Sequence, residues 1–170
     1  MVGDIRVTGT GQLLDLSRRL RRAGHENIRQ SYLRRTRRAA EPLRSDLQDS
    51  IRHLVISSQG RGAGKRGGPS PTTRPLRATI ASAIRISVRT TGDPGARVWL
   101  DRSLLPSDIT VGLVNKLNDG RLRHPVFGNK RRWAQQNADP GWWDKPVRDH
   151  TARITREMER VADDVRRRIE

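Results

Sequence analysis

"IRISVRTTGDPGARVWL", residues 84–100, changes its pattern halfway and then resumes it. In the first half Ile84, Ile86 and Val88 alternate with Arg85, Ser87 and Arg89; after TTGDPG, Ala96, Val98 and Leu100 alternate with Arg97 and Trp99. A period of two is the signature of a strand, because successive side chains leave a strand on opposite faces. The glycines and proline between the halves supply a turn. The stretch therefore predicts a β-hairpin with one apolar face, and such a face must be covered by another element.

The cover is predicted on the N-terminal side. From Gln12 to about Ile56 apolar residues recur at helical spacing: Leu13, Leu16, Leu20, Ile28, Tyr32, Leu43, Leu47, Ile51 and Val55. This predicts one long amphipathic helix or two end to end. Gly24 and Pro42 are the expected irregularities, with a kink rather than a stop at Pro42 because the i, i+4 pattern resumes at once. At the other end Val147, Ile154, Met158, Val161, Val165 and Ile169 predict a second amphipathic helix beginning near Pro146, with Asp144 as its N-cap. Residues 103–120 are ambiguous, since Val111, Val114 and Leu117 fit either a short helix or a third strand. Residues 57–75, SSQGRGAGKRGGPSPTTRP, hold five glycines and three prolines and no aliphatic side chain larger than alanine. They predict a flexible basic loop carrying Arg61, Lys65 and Arg66. The expected fold class is α+β: a long N-terminal helix, kinked at Pro42, and a C-terminal helix on a small antiparallel sheet with a β-hairpin, in a single domain over residues 1–170.

Composition narrows function. With 33% hydrophobic and 31% charged residues the chain has little apolar surface to bury for its length, so part of it is expected to be extended or covered by partners. There is no cysteine, which removes disulfides, thiolate metal sites and cysteine nucleophiles. His25, His53, His124 and His150 stand 26 or more residues apart, and none has a second ligand at metal-binding spacing. No serine sits in a nucleophile elbow, and GRGAGKRGG lacks the spacing and the hydroxyl residue of a Walker-type phosphate loop. No enzyme activity, metal or cofactor is expected. The start lacks a basic segment followed by an apolar run and no window reaches a membrane span, so a soluble chain without membrane contact is expected.

The formal charge of +17 is clustered. Residues 11–56 carry eleven arginines against five acids, residues 57–78 five basic residues and no acid, and residues 115–143 six basic residues against two acids. Residues 144–170 are nearly balanced, eight against seven. Such a field attracts polyanions without selecting among them. The second basic cluster also holds an aromatic concentration: RHPVFGNKRRWAQQNADPGWW, residues 123–143, contains the only phenylalanine and three of the four tryptophans. Trp133, Trp142 and Trp143 among Lys130, Arg131 and Arg132 can form a stacking platform for nucleic acid, or they can pack the segment onto helices and hairpin. A chain with six aromatics needs its large side chains for packing, which favours the second reading.

Two stretches resemble a known family. PSPTTRPLRATI, residues 69–80, is similar to the pattern that follows the long N-terminal helix in tail-completion or head-tail connector proteins of long-tailed bacteriophages. LNDGRLRHPVFGN followed by a tryptophan and PGWW, residues 117–143, resembles the segment in which His-Pro-x-Phe-Gly precedes an aromatic-bearing proline loop in those proteins. Thr73-Arg74-Pro75 departs from the Thr-Gly that many members carry before the leucine. The resemblance implies a non-enzymatic structural protein of the virion neck, present in the host cytoplasm during assembly. It implies a ring, commonly hexameric, between the portal or head-completion side and the tail tube, with neighbouring neck proteins as partners and phage DNA passing through the lumen. His124, Pro125, Val126, Phe127 and Gly128 would form a fixed turn anchored by Phe127, and Trp133 with Pro140, Gly141, Trp142 and Trp143 would pack it onto the domain or a neighbouring subunit. The alternative is a nonspecific basic nucleic-acid-binding protein.

Overall fold

Tyr32, Thr36, Ala40, Leu43, Leu47 and Ile51 follow one another at intervals of three or four, and all six are buried. They form the inner stripe of helix α1, Glu26–Arg52, whose 27 residues span about 40 Å. The computed structural model describes residues 2–8, 26–58, 75–90, 94–126 and 129–169. The expected helical residues 12–25 and the loop residues 59–74 lie outside these. Helix α1 passes through Pro42 as one element. It stops at Arg52, where the His53 and Leu54 amides close the last turn on Asp49 and Ile51 carbonyls. That ending corrects the expected stripe: Leu54 is buried, while Val55 is 68% exposed at the start of strand β2, Ile56–Ser58.

The predicted hairpin is strands β3, Ile84–Arg89, and β4, Gly95–Leu100, with Ile84 opposite Leu100, Ile86 opposite Val98 and Val88 opposite Ala96. Directly opposed residues share a face, so these six make the apolar side on which α1 lies. The third strand of this sheet is β1, Ile5–Thr8, which pairs with β4 from the other side. Four residues give too short an alternation to stand out in the sequence. Of the two readings open for residues 103–120, the short helix is the one present, preceded by a turn of 3-10 helix at Arg102–Leu104. Between β2 and β3 a further helix, α2, Leu76–Ser82, buries Ile80 and Ala81. Helix α3, Val111–Asn118, is capped by the Thr110 hydroxyl accepting from the Leu113 amide, and it buries Val114 and Leu117.

A second sheet was not anticipated. Strand β5, Arg121–Val126, and strand β6, Asn129–Ala138, form another antiparallel hairpin, and β2 pairs along the far side of β6. Ser57 and Ser58, expected in the loop, therefore belong to a strand. The fold is α+β, with helices packed on two three-stranded antiparallel sheets, β1-β4-β3 and β2-β6-β5.

The C-terminal helix α4, Asp144–Ile169, begins two residues earlier than expected. Ile154, Met158, Val161, Ala162 and Val165 are its buried stripe. It runs antiparallel to α1: Arg35 pairs with Asp164 near one end, and Asp46 with His150 at 2.5 Å nearer the other. The Arg35 guanidinium, followed by that of Arg167, holds the Asp164 carboxyl below its ordinary range. Tyr32 packs with Val161, Ala162 and Val165 in a small satellite core, where burial pushes its phenol above the ordinary value of 10.0. The neighbouring Thr36 hydroxyl opposes that shift only in part, and by strict geometry neither hydroxyl completes a hydrogen bond.

Gly120 turns the chain from α3 into β5 with φ of +80°. A Cβ there would sit 2.8 Å from the Ala138 carbonyl oxygen and 3.1 Å from Pro140 Cβ. Gly141, at φ of +83°, would meet only the flexible Lys145 side chain. Both glycines favour the left-handed region, but only at Gly120 is there backbone in the way. Gly120→Ala is expected to cost more than about 2 kcal/mol and Gly141→Ala about 1 kcal/mol in guanidinium denaturation. The reverse order would show that the β6 carbonyl yields easily.

Candidate interaction surface

The segment that carries the family-like stretch is a strand pair rather than a fixed irregular turn. Gly120 accepts a hydrogen bond from the Ala138 amide at 2.9 Å, which sets the parity of the β5–β6 ladder. Counting from that pair, Leu122 and His124 exchange hydrogen bonds with β6, while the backbone donors of Arg121 and Arg123 point to the open edge of the sheet. Pro125 falls on the same outward parity. A residue without an N–H can stand in a strand when that position faces an open edge, so this proline did not force a turn. A register irregularity follows it, between Pro125 and Val126. Residues 127 and 128 join the strands and lie outside the described residues, as does the anchoring role expected of Phe127.

Pairing also divides the hairpin into two faces. Leu122 lies opposite Gln136 and Ile56 opposite Ala138; Leu122 and Ala138 are buried and turn this face to the core. On the other face Arg121 lies opposite Asn137, Arg123 opposite Gln135 and Pro125 opposite Trp133. Arg121, Arg123, Trp133, Gln135 and Asn137 are all exposed. Trp133 is 46% exposed, and the Arg123 guanidinium carbon lies 4.8 Å from its ring centroid, a diagonal cross-strand cation–π contact. Trp133 was expected to pack onto the domain or onto a neighbouring subunit. It does not join the core of this chain, because five residues of strand put it roughly 17 Å from the buried Ala138.

Trp142 and Trp143 behave in the opposite way. Each is 2% exposed, and their rings meet edge to face with centroids 5.6 Å apart and planes at 82°. The residue that holds them is Asn118, itself 2% exposed. Its side-chain carbonyl accepts from the Trp143 amide at 3.0 Å, its amide donates to Asp144 Oδ2 at 2.7 Å, and its backbone carbonyl accepts from the Gly141 amide at 2.7 Å. Pro140 and Gly141 form the turn between β6 and α4, with Pro140 exposed. Of the nine residues expected to act together, Trp142 and Trp143 thus form a buried lock at the base of the hairpin and Trp133 stands exposed farther out, while Phe127 and Gly128 lie outside the described residues. Arg61, Lys65 and Arg66 of the basic loop lie outside the described residues.

Sequence reasoning passed over Asn118, Lys116, Arg121 and Arg123. Their signal was the Asn-Asp-Gly helix stop followed by the alternation Arg-Leu-Arg-His. Beside this face is an open depression of about 550 Å³ whose lining includes Lys116, Arg121, Arg123, Gln135 and Asn137 and, among the described residues, no carboxylate. Among the described residues no cluster of three His, Asp or Glu side chains could hold a metal ion, and no helix is long and apolar enough to cross a membrane. No protein-family model, curated protein or solved structure matches the chain.

Proposed function

We propose that the chain is a structural subunit of the neck of a long-tailed phage virion, acting in head-tail joining or tail completion by assembling into a ring. The reading rests on the resemblance of residues 69–80 and 117–143, and one structural observation supports it most. Among the described residues both sheets are open, each ending in two edge strands, and one of those edges is strand β5 of the hairpin bearing the family-like stretch. Edge strands carry unpaired donors and acceptors that a neighbouring copy can complete. Neighbouring neck proteins on the portal and tail-tube sides would be its other partners, and the assembled ring would reside in the virion. No step of chemistry is assigned to it.

The competing reading is a monomeric, nonspecific nucleic-acid-binding protein, and salt separates the two. Phosphate contacts weaken steeply with ionic strength, whereas apolar burial and strand pairing are little screened. At about 0.3 M salt, where the Debye length is well under 10 Å, self-association or incorporation with neck partners is expected to persist while duplex DNA binding becomes weak. Light scattering and a DNA titration in one buffer series measure both. A chain that stays monomeric with and without neck partners, yet holds duplex tightly at that salt, would overturn the neck reading.

A further inference from the structure

We propose that the outer face of the β5–β6 hairpin is a binding surface for the phosphodiester backbone of nucleic acid, with Lys116, Arg121 and Arg123 contacting phosphates and Trp133 positioning Arg123. The inference goes beyond the neck reading and does not depend on it.

Charge and geometry carry it. The face presents cations and amide donors without a carboxylate among its described lining residues, so its local field is positive although exposed Asp119 and Asp139 flank the base of the hairpin. Arg121 and Arg123 stand two residues apart on one strand face, roughly 6.8 Å along it, comparable to the step between successive phosphates of a nucleic-acid strand. Stacking on Trp133 immobilises the Arg123 guanidinium in advance while leaving its in-plane N–H groups available to phosphate oxygens. Gln135 and Asn137, directly opposite the two arginines, add neutral donors and acceptors for sugar and phosphate oxygens. An acidic protein surface suits this face less well. Stable protein interfaces centre on an apolar core, and among the described residues of this face the one large apolar side chain, Trp133, is already engaged by Arg123.

A chain of charge +17 binds DNA weakly through its whole field, so the test must be local. Arg121→Gln with Arg123→Gln is compared with Arg37→Gln with Arg38→Gln, two exposed arginines on α1 with the same charge change. Fluorescence anisotropy with a labelled duplex and a labelled oligothymidylate is followed from about 0.05 to 0.2 M salt, the range in which phosphate contacts are read from slopes. The hairpin pair is expected to lose at least tenfold in affinity and to flatten the log–log salt slope by about 1.8 on duplex or 1.4 on single strand. The α1 pair is expected to lose less than threefold. Trp133→Leu keeps the charge and is expected to weaken binding severalfold with little change of slope. Tighter binding of oligothymidylate with a large Trp133 effect would identify single strands with stacked bases as the source of the phosphates; tighter duplex binding would identify backbone contact alone. Equal losses for the two arginine pairs would overturn the site in favour of diffuse charge. Displacement of the duplex by polyglutamate as readily as by unlabelled DNA would overturn it in favour of an acidic protein partner.

Discussion

Trp142→Ala is expected to lower unfolding free energy by about 3–5 kcal/mol, out of a total on the order of 5–15 kcal/mol for a domain. Its side chain is 2% exposed and belongs to the same core as Leu117, Leu122, Ala138 and Trp143. The loss comes from burial and from the cavity left behind. The indole N–H finds no hydrogen-bond partner, so no polar bond is broken. The edge-to-face contact with Trp143 adds about 1 kcal/mol to what is lost. Guanidinium denaturation would show a lower midpoint with the slope retained. Trp133→Ala, nine residues earlier, is expected to stay within about 0.5 kcal/mol of the parent, because its side chain is 46% exposed and belongs to neither buried core. Equal stability of Trp142→Ala and the parent would remove the lock assigned to the Pro-Gly-Trp-Trp turn, and a large loss for Trp133→Ala would mean that the hairpin packs where its exposure says it does not.

Asn118→Ala should cost about 3 kcal/mol, since a buried Trp143 amide then has no acceptor in place of the side-chain carbonyl. The Asp144 carboxylate, at the first residue of α4, simultaneously loses the hydrogen bond that Asn118 donates to its Oδ2. Three elements meet at this one side chain: the end of α3, the Trp142–Trp143 pair and the beginning of α4. Amide hydrogen exchange gives a second, local readout. The Trp143 amide should lose protection before the β3–β4 ladder does, because the defect opens the turn first. Protection lost uniformly across the chain, with no lead at Trp143, would show that Asn118 acts on the fold as a whole rather than on this joint.

Periodicity was legible wherever it was long. The alternation of residues 84–100 specified β3 and β4 with their apolar face, and the stripes of Leu43, Leu47 and Ile51 and of Ile154, Met158 and Val161 specified α1 and α4. These patterns survive in one dimension because neighbours three, four or two residues apart must face the same core. The second sheet was not legible in the same way. Pro125 read as a turn residue, and the outer face of β6, Trp133, Gln135 and Asn137, shows no apolar alternation because that side is never buried. A strand with one solvated polar face and a short buried base gives the sequence little contrast to display.

The sequence by itself determined the α+β class, the two helical stripes, the β3–β4 hairpin, the clustered positive charge and the gathering of aromatics in residues 123–143. Tertiary structure alone decided how those aromatics divide. Trp142 and Trp143 follow a turn that Asn118 pulls against the end of α3, so they are driven out of water, while Trp133 sits far enough along β6 to leave the core and become a stacking partner for Arg123. Burial depends on what the rest of the chain brings within van der Waals reach. That is a long-range property, since Asn118 and Trp143 stand 25 residues apart, and no local pattern of residue types records it.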